Sequence, residues 1–153
     1  MSTKSLNREA LYEAIDQVSK EPTPPLEIQE FGQQEFEHPE AEESIWFLRG
    51  AKSDYRDVVH FWLKALQYVL ERNAPQRAFG RESLHYENTL CREISREEFN
   101  RILMCGNDLK TRHDFHLKGQ FQQAWLMDGS WNDLAALAVT DCEFVALFWE
   151  TTA

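Results

Sequence analysis

Hydrophobic positions recur at helical spacing in three stretches of the chain. They form one stripe over residues 6–20, a broader one over residues 54–72 and a third over residues 95–106. Spacings of three and four residues are typical of a helix with one buried face. Ser95 and Glu98 form a capping box that predicts where the third helix begins. The breadth of the second stripe predicts a helix that is covered on most sides and central to the core.

The C-terminal third of the chain changes to a period of two. Strand-like segments cover residues 121–127, 133–140 and 143–150. Asp128-Gly129 is a hairpin turn signal between the first two. Both faces of the last segment are apolar, which predicts an interior strand that is covered on both sides. We therefore expect an antiparallel meander here.

Three other segments have shorter patterns. Residues 26–31 alternate briefly and predict a short edge strand. Residues 39–49 favour a helix, because Pro39 suits a first turn, acidic residues follow it, and Gly50 can close the last turn. Residues 84–94 predict a strand or a hairpin arm.

Together these elements predict an α+β fold. We expect N-terminal helices packed on a mostly antiparallel sheet whose C-terminal three strands form a meander. The chain has 153 residues, which suits a single globular domain. Within it the sequence distinguishes an N-terminal helix (residues 1–20), an acidic Pro/Glu-rich connection (residues 21–38) and a main body (residues 39–153).

The net charge of −10 is distributed unevenly. Residues 21–48 hold eight acids and no base, and residues 119–153 hold five acids and no base, whereas residues 49–118 have a net charge of +3. A protein this acidic repels phosphate backbones, so the sequence argues against nucleic-acid binding. Basic proteins are the natural partners of such a field.

The first acidic stretch also contains aromatic residues, which a purely solvating run would lack. Glutamates that attract a basic partner and aromatic side chains that anchor it are the features expected of a binding surface. The alternatives are a solvated run, or a segment that docks on this chain's own basic loop at residues 72–81. The predicted partner-binding residues are Glu27, Glu30, Phe31, Glu35, Phe36, Glu37, Glu40, Glu42, Glu43 and Trp131.

Candidate catalytic and metal-binding residues are few. His113 and His116 are weak metal candidates, because they have ligand spacing but zinc needs three or four ligands. Cys91, Cys105 and Cys142 form no CxxC pair, and we interpret them as reduced thiols. The sequence predicts no catalytic residue and no cofactor, and it favours a non-enzymatic protein without excluding an enzyme.

The N-terminus carries charges where a signal peptide needs an apolar run. Uncharged apolar segments all fall short of the ~18 residues that span a membrane. We therefore expect a cytoplasmic protein with no membrane partner.

These observations predict a non-enzymatic acidic module of the inhibitor or immunity type, which covers a basic site on a partner protein such as a toxin or nuclease. In size, acidity and lack of a catalytic motif, the chain is similar to the bacterial immunity proteins as a class. One alternative is a small enzyme or ligand-binding domain with a pocket between helices and sheet. Another is a structural subunit of an oligomer, and the two-sided apolar last strand permits a homo-oligomer. The polar groups available to such a pocket are His60, His85, Cys91, His113 and His116.

Overall fold

The computed structural model describes residues 6–76, 78–86, 89–110, 113, 115–129 and 133–151, except for the side chains of residues 85 and 86. The helices of this part are α1 (Arg8–Lys20), α2 (Val58–Asn73), α3 (Arg81–Tyr86) and α4 (Arg96–Leu103). The strands are β1 (Glu27–Phe31), β2 (Glu43–Ala51), β3 (Arg92–Ile94), β4 (Phe121–Gly129), β5 (Asp133–Thr140) and β6 (Glu143–Thr151).

The strands form one antiparallel sheet in the order β1-β2-β6-β5-β4-β3. This confirms the predicted α+β fold, including the C-terminal meander of β4, β5 and β6. Helices α1 and α2 pack on one face of the sheet, which we call the helical face. Its core includes Leu11 and Ile15 of α1 and Phe61 and Leu63 of α2, all with 0% exposure.

The second face of the sheet is also covered by this same chain. Phe144 and Ala146 of β6 point to the helical face, whereas Val145 and Leu147 belong to a separate core on the other side. Helix α4 and the irregular segments around Leu109 close that second core. The prediction that the last strand is central in the sheet is therefore confirmed. Its second face is covered by helix α4 and loops.

The predicted helix over residues 39–49 is wrong. Pro39–Ala41 forms a single 3-10 turn, and Glu43–Ala51 is strand β2. Strand β2 lies between β1 and β6 and is buried on both faces, so its central residues 45–48 form an apolar run that lacks the alternation that marks a strand. Gly50 does not end a helix but packs within β2, where a Cβ atom would lie 2.5 Å from the Tyr55 ring.

Two other predictions need correction. Residues 84–94 are not one strand, since α3 continues to Tyr86 and only Arg92–Ile94 pairs with β4. Asp128-Gly129 is not a hairpin turn either. Both residues belong to β4, and Gly129 pairs with Leu134, so the connection lies at residues 130–132, outside the described residues.

Local capping sets where the helices begin. The Oδ1 atom of Asn7 accepts from the amide of Ala10 at 2.8 Å, and Oδ1 of Asp57 accepts from the amide of His60 at 2.9 Å. The second cap explains why α2 begins at Val58, four residues after the predicted start. The predicted capping box of Ser95 and Glu98 is confirmed at the start of α4.

A buried ion pair ties the loop before β4 to the sheet. Nη1 of Arg49 donates to both carboxylate oxygens of Glu143, at 2.9 and 2.8 Å, and the two residues are each 5% exposed. The amide of Lys118 donates to the same carboxylate at 2.7 Å, and Nη2 of Arg49 donates to the carbonyl of His116. These bonds compensate two charges that would be costly to bury alone.

The helices of the described residues are all too short or too polar to cross a membrane.

Candidate protein-binding surface

The acidic segment after β1 is held in place by backbone pairing. Phe36 forms an isolated antiparallel bridge with Leu109, and the amide of Lys110 donates to the carbonyl of Glu35 at 2.8 Å. Such bonds fix the backbone of a segment that has little regular secondary structure of its own. The segment is therefore an ordered part of the fold, which argues against the alternative of a solvated run.

The two phenylalanines of this segment serve the core. Phe36 is 0% exposed and belongs to the second core, so it is not accessible to a partner, and its prediction as a partner-binding residue is corrected. Phe31 is half-buried, and its ring meets that of Phe115 edge to face at 5.8 Å. Phe115 in turn contacts Phe47 of β2 at 4.6 Å. The aromatic rings thus anchor the acidic segment internally.

One end of the sheet is strongly acidic. Strands β1, β4 and β6 finish there and β2 and β5 begin there, as the pairing of Glu43 with Thr151 and of Asp133 with Glu150 shows. Each of these five strands has a carboxylate within two residues of that end. The Thr151 hydroxyl donates to the carbonyl of Ala41, which brings the preceding loop to the same place. We call the following set the acidic end: Glu30, Glu40, Glu42, Glu43, Asp128, Asp133 and Glu150.

The acidic end combines two stretches that are far apart in the sequence. Four of its members come from residues 21–48 and three come from residues 119–153, the two long runs without a base. The sequence-based prediction named the first four and missed Asp128, Asp133 and Glu150. The base-free run of residues 119–153 was the available signal, but nothing in the sequence showed which of its acids would lie beside the first run.

A cleft of about 350 Å³ lies beside the acidic end, between the last turns of α2 and the sheet. Asp133 and Glu150 occupy directly opposed positions on β5 and β6 and both line this cleft. The Nδ2 atom of Asn73 donates to Glu150 at 3.2 Å. Burial raises the pKa of Asp133, and burial together with the nearby Asp133 charge raises the pKa of Glu150. The two carboxylates therefore repel each other in a partly desolvated site.

Arg72, one of the chain's own basic residues, pairs with a member of the acidic end. Nε of Arg72 lies 2.9 Å from Glu30, in an ion pair whose side chains are 51% and 36% exposed. Arg81 instead contacts α1, where its Nε donates to the carbonyl of Tyr12 at 3.2 Å and lies 3.6 Å from Asp16. The alternative that the acidic stretch docks on the chain's own residues 72–81 is thus seen at the contact between Glu30 and Arg72. Arg77 lies outside the described residues.

The remaining predicted glutamates differ in how free they are. Glu43 accepts from Nε1 of Trp149 at 2.8 Å and is engaged within the fold. Glu40 is 77% exposed and lies 3.6 Å from Nδ1 of His38. Within the described part of the chain, Glu35 and Glu37 take part in no ion pair with a lysine or arginine. The exposed glutamates Glu37 and Glu40 therefore present negative charge to solvent.

Besides Phe31 and Phe36, four predicted residues are not members of the acidic end: Glu27, Glu35, Glu37 and Trp131. Glu27 is exposed and opposes Arg49 at the far end of β1 from Phe31. Trp131 belongs to the connection between β4 and β5 and lies outside the described residues.

The histidines proposed as metal ligands do not converge. The ring of His113 packs against Phe115 at 4.2 Å, whereas His116 is exposed. Among the described residues, no group of three or more His, Cys, Asp or Glu side chains is arranged to hold a metal ion. Asp114 lies outside the described residues.

The described candidate groups for a catalytic pocket do not meet in one cavity, and the side chain of His85 lies outside the described part of the chain. His60 lines a groove between α1 and α2, and its Nδ1 accepts from the amide of Arg56 at 3.1 Å. Burial lowers the pKa of His60, which favours the neutral ring. Burial raises the pKa of Cys91 to about 11 and that of Cys105 to about 12, so these thiols are protonated and weakly nucleophilic near neutral pH.

Comparison with protein-family models, curated proteins and solved structures found no match to this chain.

Proposed function

We propose that this protein is a non-enzymatic binding module whose acidic end covers a basic site on a partner protein. The observation that carries the proposal is the meeting of two base-free stretches, residues 21–48 and 119–153, at one end of the sheet. The partner class is an inhibitor target, such as a toxin or a nuclease with a positive phosphate-binding cleft. The setting is the cytoplasm, which suits a chain with three free cysteines.

Electrostatic attraction gives such a surface its first advantage. Charges act over about 8 Å at physiological salt, and a cluster of one sign steers an oppositely charged partner into the right orientation. Complementary fields raise association rates above the ordinary range of about 10⁵–10⁶ M⁻¹s⁻¹. A basic enzyme would therefore be captured rapidly.

The fixed geometry of the surface gives the second advantage. The segment around Phe36, which leads directly to Glu40 and Glu42 of the acidic end, is anchored by the buried Phe36 ring and by pairing with residues 108–110, so little backbone freedom is lost on binding. Ordering a free segment at the moment of binding would reduce the affinity. A pre-ordered acidic face is thus better suited to tight binding than a mobile acidic tail.

Affinity purification with matched charge variants tests the proposal. The variant Glu40→Lys/Glu42→Lys changes two exposed members of the acidic end, and Glu13→Lys/Glu93→Lys makes the same change in net charge at two exposed positions elsewhere. We expect the wild type and the control to retain the same basic protein. We expect the acidic-end variant to bind it at least about tenfold more weakly, mainly through slower association.

Two results would contradict this function. One is equal loss of binding in both variants, which would indicate a response to net charge alone. The other is equal retention of the partner by the wild type and both variants, since the acidic end would then make no contact with it.

A further inference from the structure

Strand β1 is an open edge of the sheet. It pairs with β2 alone, and among the described residues no other backbone hydrogen bond involves residues 27–31. In an antiparallel pair, alternate residues direct their N–H and C=O groups to the neighbour, and the residues between them direct theirs to the opposite side. The outer side of β1 therefore offers backbone donors and acceptors that can form a further ladder.

Proline and lysine, two residues that often block an edge strand, are absent from β1. Pro24 and Pro25 precede the strand and Gly32 follows it, but the sequence EIQEF contains no proline or lysine. Five residues span about 17 Å, which is a typical strand length. The opposite edge of the sheet, β3, has three residues and offers a shorter ladder.

The two faces of β1 pack against the protein's own cores. Ile28 is packed against the core of the helical face, and Phe31 is packed against the second core. Since both faces of the strand are held, its conformation is set before any partner arrives. When a strand is added, the partner's segment is then the one that loses conformational entropy, because β1 is already ordered.

Charge selects the chemistry of the added strand. Glu27 and Glu30 are exposed on opposite faces of β1, and Glu30 is paired with Arg72, so Glu27 is the carboxylate that faces an added strand on the side of Phe31. Two copies of β1 paired edge to edge would bring carboxylates together, and like charges at opposed positions destabilise a strand pair. An added strand with basic side chains at alternate positions would instead place one of them beside Glu27, on the face of β1 that Glu27 shares with Phe31.

We propose that an extended basic segment of the partner binds to the outer edge of β1 as a seventh strand. The inference rests on the proposed function and adds the mode of recognition. Backbone hydrogen bonds supply the affinity, and a lysine or arginine side chain beside Glu27 supplies the selectivity. The acidic end then attracts the bulk of the basic partner while β1 binds one segment of it.

The test uses the full chain and two synthetic peptides of the sequence Lys-Val-Lys-Val-Lys-Val-Lys. One peptide has ordinary amides, and the other is N-methylated throughout, which keeps its charge but removes its backbone donors. We expect the ordinary peptide to bind more tightly and to slow amide hydrogen exchange within residues 27–31 by about tenfold or more. The variant Glu27→Lys should weaken this binding more than Glu37→Lys, because Glu37 lies outside the strand.

Several results would overturn the inference. Equal binding of the two peptides, no binding of either, or binding that leaves exchange in residues 27–31 unchanged would each exclude an added strand. Protection of β1 that rises with protein concentration in the absence of peptide would identify a second copy as the occupant. Retention of the partner in the affinity experiment is measured separately, so the acidic-end proposal can survive the failure of this one.

Discussion

Asp133 and Glu150 lie directly opposite each other on β5 and β6, at the acidic end of the sheet. Both line one cleft, and Glu150 accepts a hydrogen bond from Asn73. Two carboxylates in such positions oppose folding and favour the approach of a cation. The relationship therefore affects stability, and under the proposed function it also favours a basic partner.

Replacing Glu150 by glutamine should stabilise the protein at neutral pH. The pKa values of Asp133 and Glu150 are raised above their ordinary 3.8 and 4.5, so the folded protein binds more protons than the unfolded chain between those values and the raised ones. The free energy of unfolding then falls as the pH rises through this window. We expect Glu150→Gln to gain about 0.2–1 kcal/mol at pH 7 and low salt, and to gain less in acid.

Urea denaturation at several pH values measures this effect. Glu13→Gln, at an exposed site on α1, serves as the control and should change the free energy of unfolding by less than about 0.5 kcal/mol. A Glu150→Gln protein that is no more stable than the wild type at pH 7 would show that the two carboxylates do not repel each other appreciably.

Removing one partner of the buried ion pair should be strongly destabilising. In Arg49→Met the carboxylate of Glu143 stays buried without its arginine, and in Glu143→Leu the guanidinium does. Each single variant should lose about 3–5 kcal/mol of unfolding free energy. The double variant should lose much less than the sum, because it buries no uncompensated charge. Chemical denaturation of the four proteins gives the coupling, and additive losses would exclude it.

Truncating Phe36 should show that the acidic segment is part of the core. Phe36→Ala removes a fully buried ring and is expected to cost about 3–5 kcal/mol of unfolding free energy. The neighbouring Glu37→Ala changes an exposed side chain and should cost less than about 0.5 kcal/mol. Thermal and urea denaturation compare the two, and equal small losses would mean that the segment detaches in solution.

Gly32 and Gly50 should respond differently to replacement by alanine. A Cβ atom on Gly50 would lie 2.5 Å from the Tyr55 ring and 3.0 Å from the Phe61 ring, so Gly50→Ala should cost about 1–3 kcal/mol. Gly32 has no neighbour within 4 Å of such an atom and has a φ of −95°. Gly32→Ala should therefore be neutral or stabilise by up to about 1 kcal/mol. Melting temperatures of the two variants provide the comparison.

The spacing of hydrophobic residues within short segments predicted most of the helices and the C-terminal meander. The stripe of α2 and the capping box of Ser95 and Glu98 depend on neighbours three and four residues away, which are fixed by the local sequence. Strand β2, which the sequence predicted as a helix, depends instead on residues far away in the chain. Its apolar run fits a helix or a strand equally well, and its pairing partners on β6 are about 100 residues away.

The sequence by itself determined the sign of the charge, the two base-free stretches and the need to cover both faces of β6, because composition and local periodicity are properties of short segments. Tertiary structure alone decided that Glu43 and Asp133 approach the same end of the sheet and that Phe36 turns inward. Strand order and register depend on contacts between distant segments, and no local pattern records which segments will meet. The acidic end is a consequence of that long-range pairing.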